Sequence, residues 1–99
     1  MELLFCYGTL RDAAVQIEVT GRALAGTPDI LSDYALETIH EDTRAYPRAY
    51  PAPDQILAGF TYEVSPAELA AIDTYEGTAY ARVKTTLQSS RHAWTYVRP

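Results

Sequence analysis

The hydrophobic pattern opens with Leu3-Leu4-Phe5-Cys6-Tyr7, an apolar run that stops at Gly8-Thr9-Leu10-Arg11-Asp12. The run predicts a buried strand, and the glycine after it predicts a loop. A glycine there allows a positive φ or close approach to another molecule, and it leaves neighbouring N–H groups free to face an anion such as a carboxylate. The plainer alternative is a tight turn at a strand end. Strand character recurs over Arg22 to Gly26, Tyr34 to Ile39, Ile56 to Val64, Ala81 to Leu87 and His92 to Val97. Within the third of these, Ile56, Ala58, Phe60, Tyr62 and Val64 share one parity, while Gln55, Gly59, Thr61 and Glu63 share the other. That is the period of a half-buried strand, with Leu57 as its exception.

The clearest helix begins at Ser65-Pro66-Ala67-Glu68. Ser65 suits the N-cap, Pro66 the first helical position, and Glu68 the reciprocal end of a capping box. Residues 66–76 are predicted helical, with Leu69, Ile72 and Tyr75 as the apolar stripe and Gly77 ending the helix in a left-handed conformation. A weaker helix or turn covers Ala13 to Val19. Between Glu41 and Gln55, Tyr46-Pro47, Tyr50-Pro51 and Pro53 interrupt any periodicity, which predicts a loop of extended character.

With 99 residues the chain has room for one core, so residues 1–99 are expected to form a single β-rich domain. The net charge of −5 and the lone lysine, Lys84, leave no basic stripe, and the arginines are scattered from Arg11 to Arg98. Nucleic acid and anionic membranes are therefore unexpected partners. One cysteine cannot close an internal disulfide, and Glu2 beside a short apolar stretch does not resemble a secretory signal. A reducing cytoplasm is the expected setting. No apolar run approaches the ~20 residues of a membrane span.

Glu76 is the leading candidate for chemistry. It falls at the end of the predicted helix, where the partial negative charge of the helix terminus disfavours an ionised carboxylate and pushes its pKa upward. Asp73, one turn earlier, either adds like-charge repulsion or faces water. The plain reading of Glu76 is a solvated helix-end carboxylate. Cys6 paired with His40 or His92 would make a nucleophile, but no local Cys-His signature supports it and a buried cysteine packs as a small hydrophobe. His40-Glu41-Asp42 places successive side chains on opposite faces of an extended segment, without a further ligand at metal spacing.

Taken together, Tyr7-Gly8-Thr9-Leu10-Arg11, Gly21-Arg22-Ala23-Leu24, Tyr46-Pro47, Ala58-Gly59, the stretch Leu69 through Gly77 and Tyr80-Ala81-Arg82 resemble the gamma-glutamylcyclotransferase-like family, which includes the gamma-glutamylamine cyclotransferases and AIG2-like proteins. The resemblance spans nearly the whole chain. It implies an α+β fold, a small mixed β-barrel flanked by helices. It also implies a substrate-binding loop at Tyr7, Gly8, Thr9 and Leu10, with Glu76 as the catalytic acid and base, and Tyr46, Tyr80 and Arg82 near the pocket. Arg82 has a plainer role available, pairing with a helix-end carboxylate. The implied reaction converts a γ-glutamyl amine, amino acid or peptide into 5-oxoproline and a free amine, and it calls for no metal or organic cofactor. The alternative is a non-catalytic protein that binds a small carboxylate in the same pocket. The chain departs from the family pattern after Tyr46-Pro47, where Arg48 and Ala49 replace aliphatic residues, and it stops at Pro99 shortly after its last strand. The Tyr46 segment is expected to border the leaving-group side. Arg48 there either favours an acidic or peptide-like leaving group or is a solvated arginine.

Overall fold

The computed structural model describes residues 1–98. Strand β1 (Glu2–Cys6) lies at the centre of a five-stranded sheet whose order is β2-β3-β1-β5-β4, with β2 at Gly26–Glu41, β3 at Arg44–Val64, β4 at Ala81–Thr86 and β5 at His92–Val97. β1 runs antiparallel to β3, placing Leu4 opposite Tyr62, and parallel to β5, placing Leu4 beside Trp94. Leu4 and Cys6 join Tyr62, Val64, Leu69 and Ile72 in one core cluster; Phe5 and Tyr7 join Leu31, Leu57, Leu87 and Ala93 in another. This two-sided burial explains why the opening run shows no alternation.

The sheet curls into a half-barrel, giving the α+β fold expected from the sequence. Its ends meet at one corner. The turn between β4 and β5 reaches β2, where the Gln88 N–H donates to the Ile30 carbonyl at 2.8 Å and the Ser89 hydroxyl donates to the Asp29 carboxylate at 2.6 Å. Helices α1 (Ala13–Thr20) and α2 (Pro66–Glu76) cover the Leu4 and Cys6 face.

Helix α2 forms over the residues its caps predict. Ser65 Oγ accepts from the Glu68 N–H at 3.1 Å, and Glu68 Oε1 accepts from the Ser65 N–H at 2.8 Å. Arg22 grips the same carboxylate through Nε and Nη2 at 2.7 and 2.9 Å, holding Glu68 down to about 2. Arg22 to Ala25 is consequently not a strand. Its groups are committed to the helices: the Leu24 N–H donates to Gln16 Oε1 at 2.8 Å, while the buried Gln16 amide donates to the Leu10 carbonyl at 2.9 Å.

The expected loop between Glu41 and Gln55 is also overturned, because β2 and β3 form one long hairpin whose distal arm pairs Tyr34–Glu41 with Arg44–Pro51. Pro47 and Pro51 fit a strand here since β1 pairs only with Phe60–Val64, so the outer edge of the arm needs no N–H. Pro28 is accommodated the same way on the edge strand β2. The hairpin bends where its register shifts after Ser32. Asp33 and Asp54 take positive φ of 65° and 67° there, and the Asp54 N–H donates to Asp33 Oδ1 at 3.1 Å.

In β3 the buried parity is not the apolar one. Leu57, Gly59 and Thr61 face inward, whereas Ile56 is 62% and Phe60 36% exposed. Gly59 sets this orientation, because a Cβ on it would stand 2.4 Å from the Cys6 carbonyl and 2.7 Å from the Phe5 ring. Beyond Thr61 the helices bury Tyr62 and Val64 as well. Gly59→Ala should therefore destabilise the protein by about 2 kcal/mol through overpacking. Ile56→Thr, on the exposed face, should change stability by less than about 0.5 kcal/mol. Urea unfolding of both variants checks the assignment, and equal effects would contradict it.

Candidate active site

A cavity of about 380 Å³ opens between the end of β1, the 3₁₀ turn Thr9–Arg11, the C-terminus of α2 and the distal arm of the hairpin. Of the residues singled out from the sequence, Tyr7, Gly8, Thr9, Leu10, Tyr46, Glu76 and Tyr80 all line it, joined by Arg44, Pro47, Tyr75 and Tyr96. Arg82 does not line it. Its guanidinium pairs with Asp73 at 2.9 Å and lies 4.4 Å above the Trp94 ring, which is the helix-end pairing open to it from the sequence.

Gly8 has φ −118°, so the turn needs no left-handed residue. Packing does not demand glycine here either, since a Cβ would meet only Pro47 Cγ on the hairpin arm, at an ordinary contact distance of 3.4 Å. Within the turn, the Arg11 N–H donates to the Gly8 carbonyl and the Asp12 N–H to the Thr9 carbonyl. The N–H groups of Gly8, Thr9 and Leu10 have no partner inside the turn, as expected at the start of a helical turn. A 2.7 Å hydrogen bond between the Thr9 and Tyr75 hydroxyls fixes the turn against α2.

Glu76 ends α2, and burial raises its carboxyl to about 7. The direction is the one expected from the sequence, but desolvation supplies it rather than the charge of the helix end or repulsion from Asp73. Asp73 is engaged elsewhere, accepting from the Tyr96 hydroxyl at 2.5 Å as well as from Arg82. The Tyr7 hydroxyl in turn donates to the Tyr96 carbonyl at 2.5 Å, so the end of β1, β5 and the last turn of α2 are tied together. Sequence reading missed Tyr96. Its only signal was a tyrosine at an inward position of β5. Gly77 has φ 76° and ψ −173°, a glycine-favoured conformation that turns the chain sharply but is not the left-handed helical cap expected.

Cys6 lines the cavity with its thiol pushed up, first by burial and then by Glu76, which disfavours the thiolate a nucleophile requires. His40 and His92 lie outside the lining. Among the described residues, no group of three or more His, Cys, Asp or Glu side chains is placed to hold a metal ion.

The hairpin arm is pinned over the opening. The Tyr80 hydroxyl donates to the Pro47 carbonyl at 2.8 Å, and Arg48 Nε donates to the Arg98 carbonyl at 2.8 Å. Arg48 also pairs with Glu37 at 2.5 Å, so it is a tie between strands rather than a solvated side chain. Arg98 pairs with Glu41 and lies 5.7 Å from the Tyr46 ring centre.

A carboxyl near 7 in the folded state and near its ordinary 4.5 when unfolded binds its proton more tightly in the native protein. The stability this adds is fully present below pH 4.5 and is lost as pH rises through 7. Glu76→Gln, always neutral, should remove that loss. Discounted for the partial exposure of Glu76, the variant should gain about 1–2 kcal/mol over wild type at pH 8 and nothing at pH 4, measured by urea unfolding at both. A difference independent of pH would contradict the assignment.

The family model described as "Gamma-glutamyl cyclotransferase, AIG2-like" matches residues 4–99. A search of curated proteins returns no match. Among solved structures, a solution structure from Arabidopsis thaliana superposes with a TM-score of 0.83 at 26% identity, covering 98% of this chain and 61% of the other. A structure titled "Gamma-glutamyl cyclotransferase" superposes with a TM-score of 0.79 at 16% identity, covering 99% of this chain and 66% of the other. An uncharacterised protein from Homo sapiens gives 0.75 at 17% identity, with 99% and 66% covered. The chain thus spans a little under two thirds of the length of these structures. With its sequence matched almost from end to end and its half-barrel shared by these structures, the chain belongs to the AIG2-like gamma-glutamyl cyclotransferase family.

Proposed function

We propose that the cavity binds a γ-glutamyl compound and that the protein cyclises its glutamyl part to 5-oxoproline with release of the attached amine. The observation that carries this reading is a carboxyl raised to about 7 that lines one cavity with a turn whose first N–H groups have no partner inside it. At neutral pH such a carboxyl is close to half protonated, so it can both take and give a proton.

In the reaction, the substrate's α-nitrogen attacks its own γ-carbonyl carbon. A ring C–N bond forms and the bond to the leaving nitrogen breaks. Starting from the ammonium, two protons travel from the attacking nitrogen to the leaving nitrogen, giving a lactam with one N–H and a protonated amine. Glu76 as carboxylate accepts from the attacking nitrogen, and as carboxylic acid it donates to the departing one. The N–H groups of Gly8, Thr9 and Leu10 would orient the glutamyl part and offset charge on the carbonyl oxygen. Holding the chain curled matters as much, since well-oriented cyclisations reach effective molarities of ~10⁵ M or more. Tyr46 lines the same space from the arm, and Tyr80 from the segment between α2 and β4. Arg82 acts in this reading as a positioning residue, holding Asp73 and hence the helical turn before Glu76.

The substrate is a small molecule, and the lone buried Cys6 and the charge of −5 fit a reducing cytoplasmic setting without nucleic-acid partners. No helix among the described residues is long and apolar enough to cross a membrane. Purified protein incubated with γ-glutamyl amino acids, γ-glutamyl amines and glutathione should release 5-oxoproline detectable by mass spectrometry. Glu76→Gln should lower kcat by about 10²- to 10⁴-fold. Full turnover by the variant would sink the proton-shuttle role. Ligand binding without product from wild type would assign the pocket to a carboxylate-binding protein instead.

A further inference from the structure

Among the described residues that line the cavity, Arg44 is the one Lys or Arg side chain. It sits where β3 leaves the hairpin turn, directly across from Glu41 in the register. That neighbour is the obvious salt-bridge partner, yet Glu41 pairs with Arg98 instead. Arg22, Arg48, Arg82 and Arg98 each hold a carboxylate, whereas among the described residues Arg44 has only the Tyr46 hydroxyl at its side. In a chain with five more acidic than basic side chains, a cavity-lining guanidinium without a carboxylate is notable. Arg44 is also exposed, at the solvent-facing end of the arm.

Resting on the reading given above, we infer that Arg44 recognises a carboxylate on the leaving group, making γ-glutamyl amino acids and peptides better substrates than γ-glutamyl amines. The glutamyl end belongs with Glu76 and the Gly8 turn, where the proton transfers occur. The departing amine then lies toward the hairpin arm, whose lining residues run from Arg44 to Pro47. A guanidinium can hold a carboxylate there by a charge-assisted, bidentate contact, which a neutral alkylamine cannot reciprocate. The pair also offsets the unfavourable approach of an anionic substrate to an acidic protein. Arg48, the residue that departs from the family pattern, is excluded from this role by its engagement with Glu37 and the Arg98 carbonyl.

The test compares γ-glutamylalanine with γ-glutamylethylamide, which differ only by the leaving-group carboxylate, in wild type and Arg44→Gln. Wild type should prefer γ-glutamylalanine by about 5- to 10-fold in kcat/KM, mainly through KM, and half-molar salt should erode that preference. In Arg44→Gln the ratio should fall below about 2-fold, with kcat/KM for the ethylamide retained. A wild type that processes both equally, or a variant that keeps the ratio, overturns the inference while leaving the cyclotransferase reading intact. Turnover of neither substrate by wild type overturns the reading itself, and the inference with it.

Discussion

Strand β1 is buried on both faces, and most of the molecule is arranged by that constraint. Side chains pointing one way pack under the helices and those pointing the other way fill the half-barrel, so Leu4, Phe5 and Cys6 are almost fully withdrawn from water. Each such side chain contributes about 2 kcal/mol or more of burial. Both neighbours of β1 must lie close, which is why β3 presents Gly59 to the Phe5 ring. The strand's end is then fixed in depth. Where Cys6 passes into Tyr7 and Gly8, the chain emerges at the floor of the cavity with its next N–H groups uncommitted within the turn.

The acidic end of α2 is brought to this point by polar ties rather than by apolar packing alone. Tyr7 bonds to Tyr96, Tyr96 to Asp73, and Asp73 to Arg82. These partners satisfy one carboxylate of the last helical turn and leave the next, Glu76, with none of them. A carboxyl buried without a compensating charge keeps its proton, and that is the physical origin of a group poised near neutrality. The same arrangement makes the thiol of Cys6 harder to ionise, so one environment holds a carboxyl near neutrality and disfavours a thiolate.

How much of this was legible in the sequence depends on whether the signal was local. The capping box of α2 involves residues within one turn, and the helix runs over the residues it predicts. β1 was readable from its apolar run and β4 and β5 from local strand character, while the coincidence of Tyr7 to Leu10 with Glu76 came through family resemblance. Of the hairpin arm, Tyr34 to Ile39 was readable as a strand, but the facing Arg44–Pro51 segment was not. Its prolines are tolerated only because its outer edge has no neighbour, a property of topology rather than of Tyr46-Pro47 or Tyr50-Pro51. The inverted parity of β3 escaped for a related reason: Gly59 looks polar-side by alternation, and its closeness to Phe5 exists only once β1 and β3 are paired. Arg22 was misread as a strand residue because its partner, Glu68, is distant in sequence.

The central claim is that burial, at this one position, keeps a carboxyl half protonated at neutral pH. A carbon-detected NMR titration of the Glu76 side-chain carboxyl in the ligand-free protein measures this directly. The account predicts a midpoint of about 7. A midpoint at the ordinary 4.5 would contradict it, leaving Glu76 a solvated helix-end carboxylate with no means to return a proton to a departing amine.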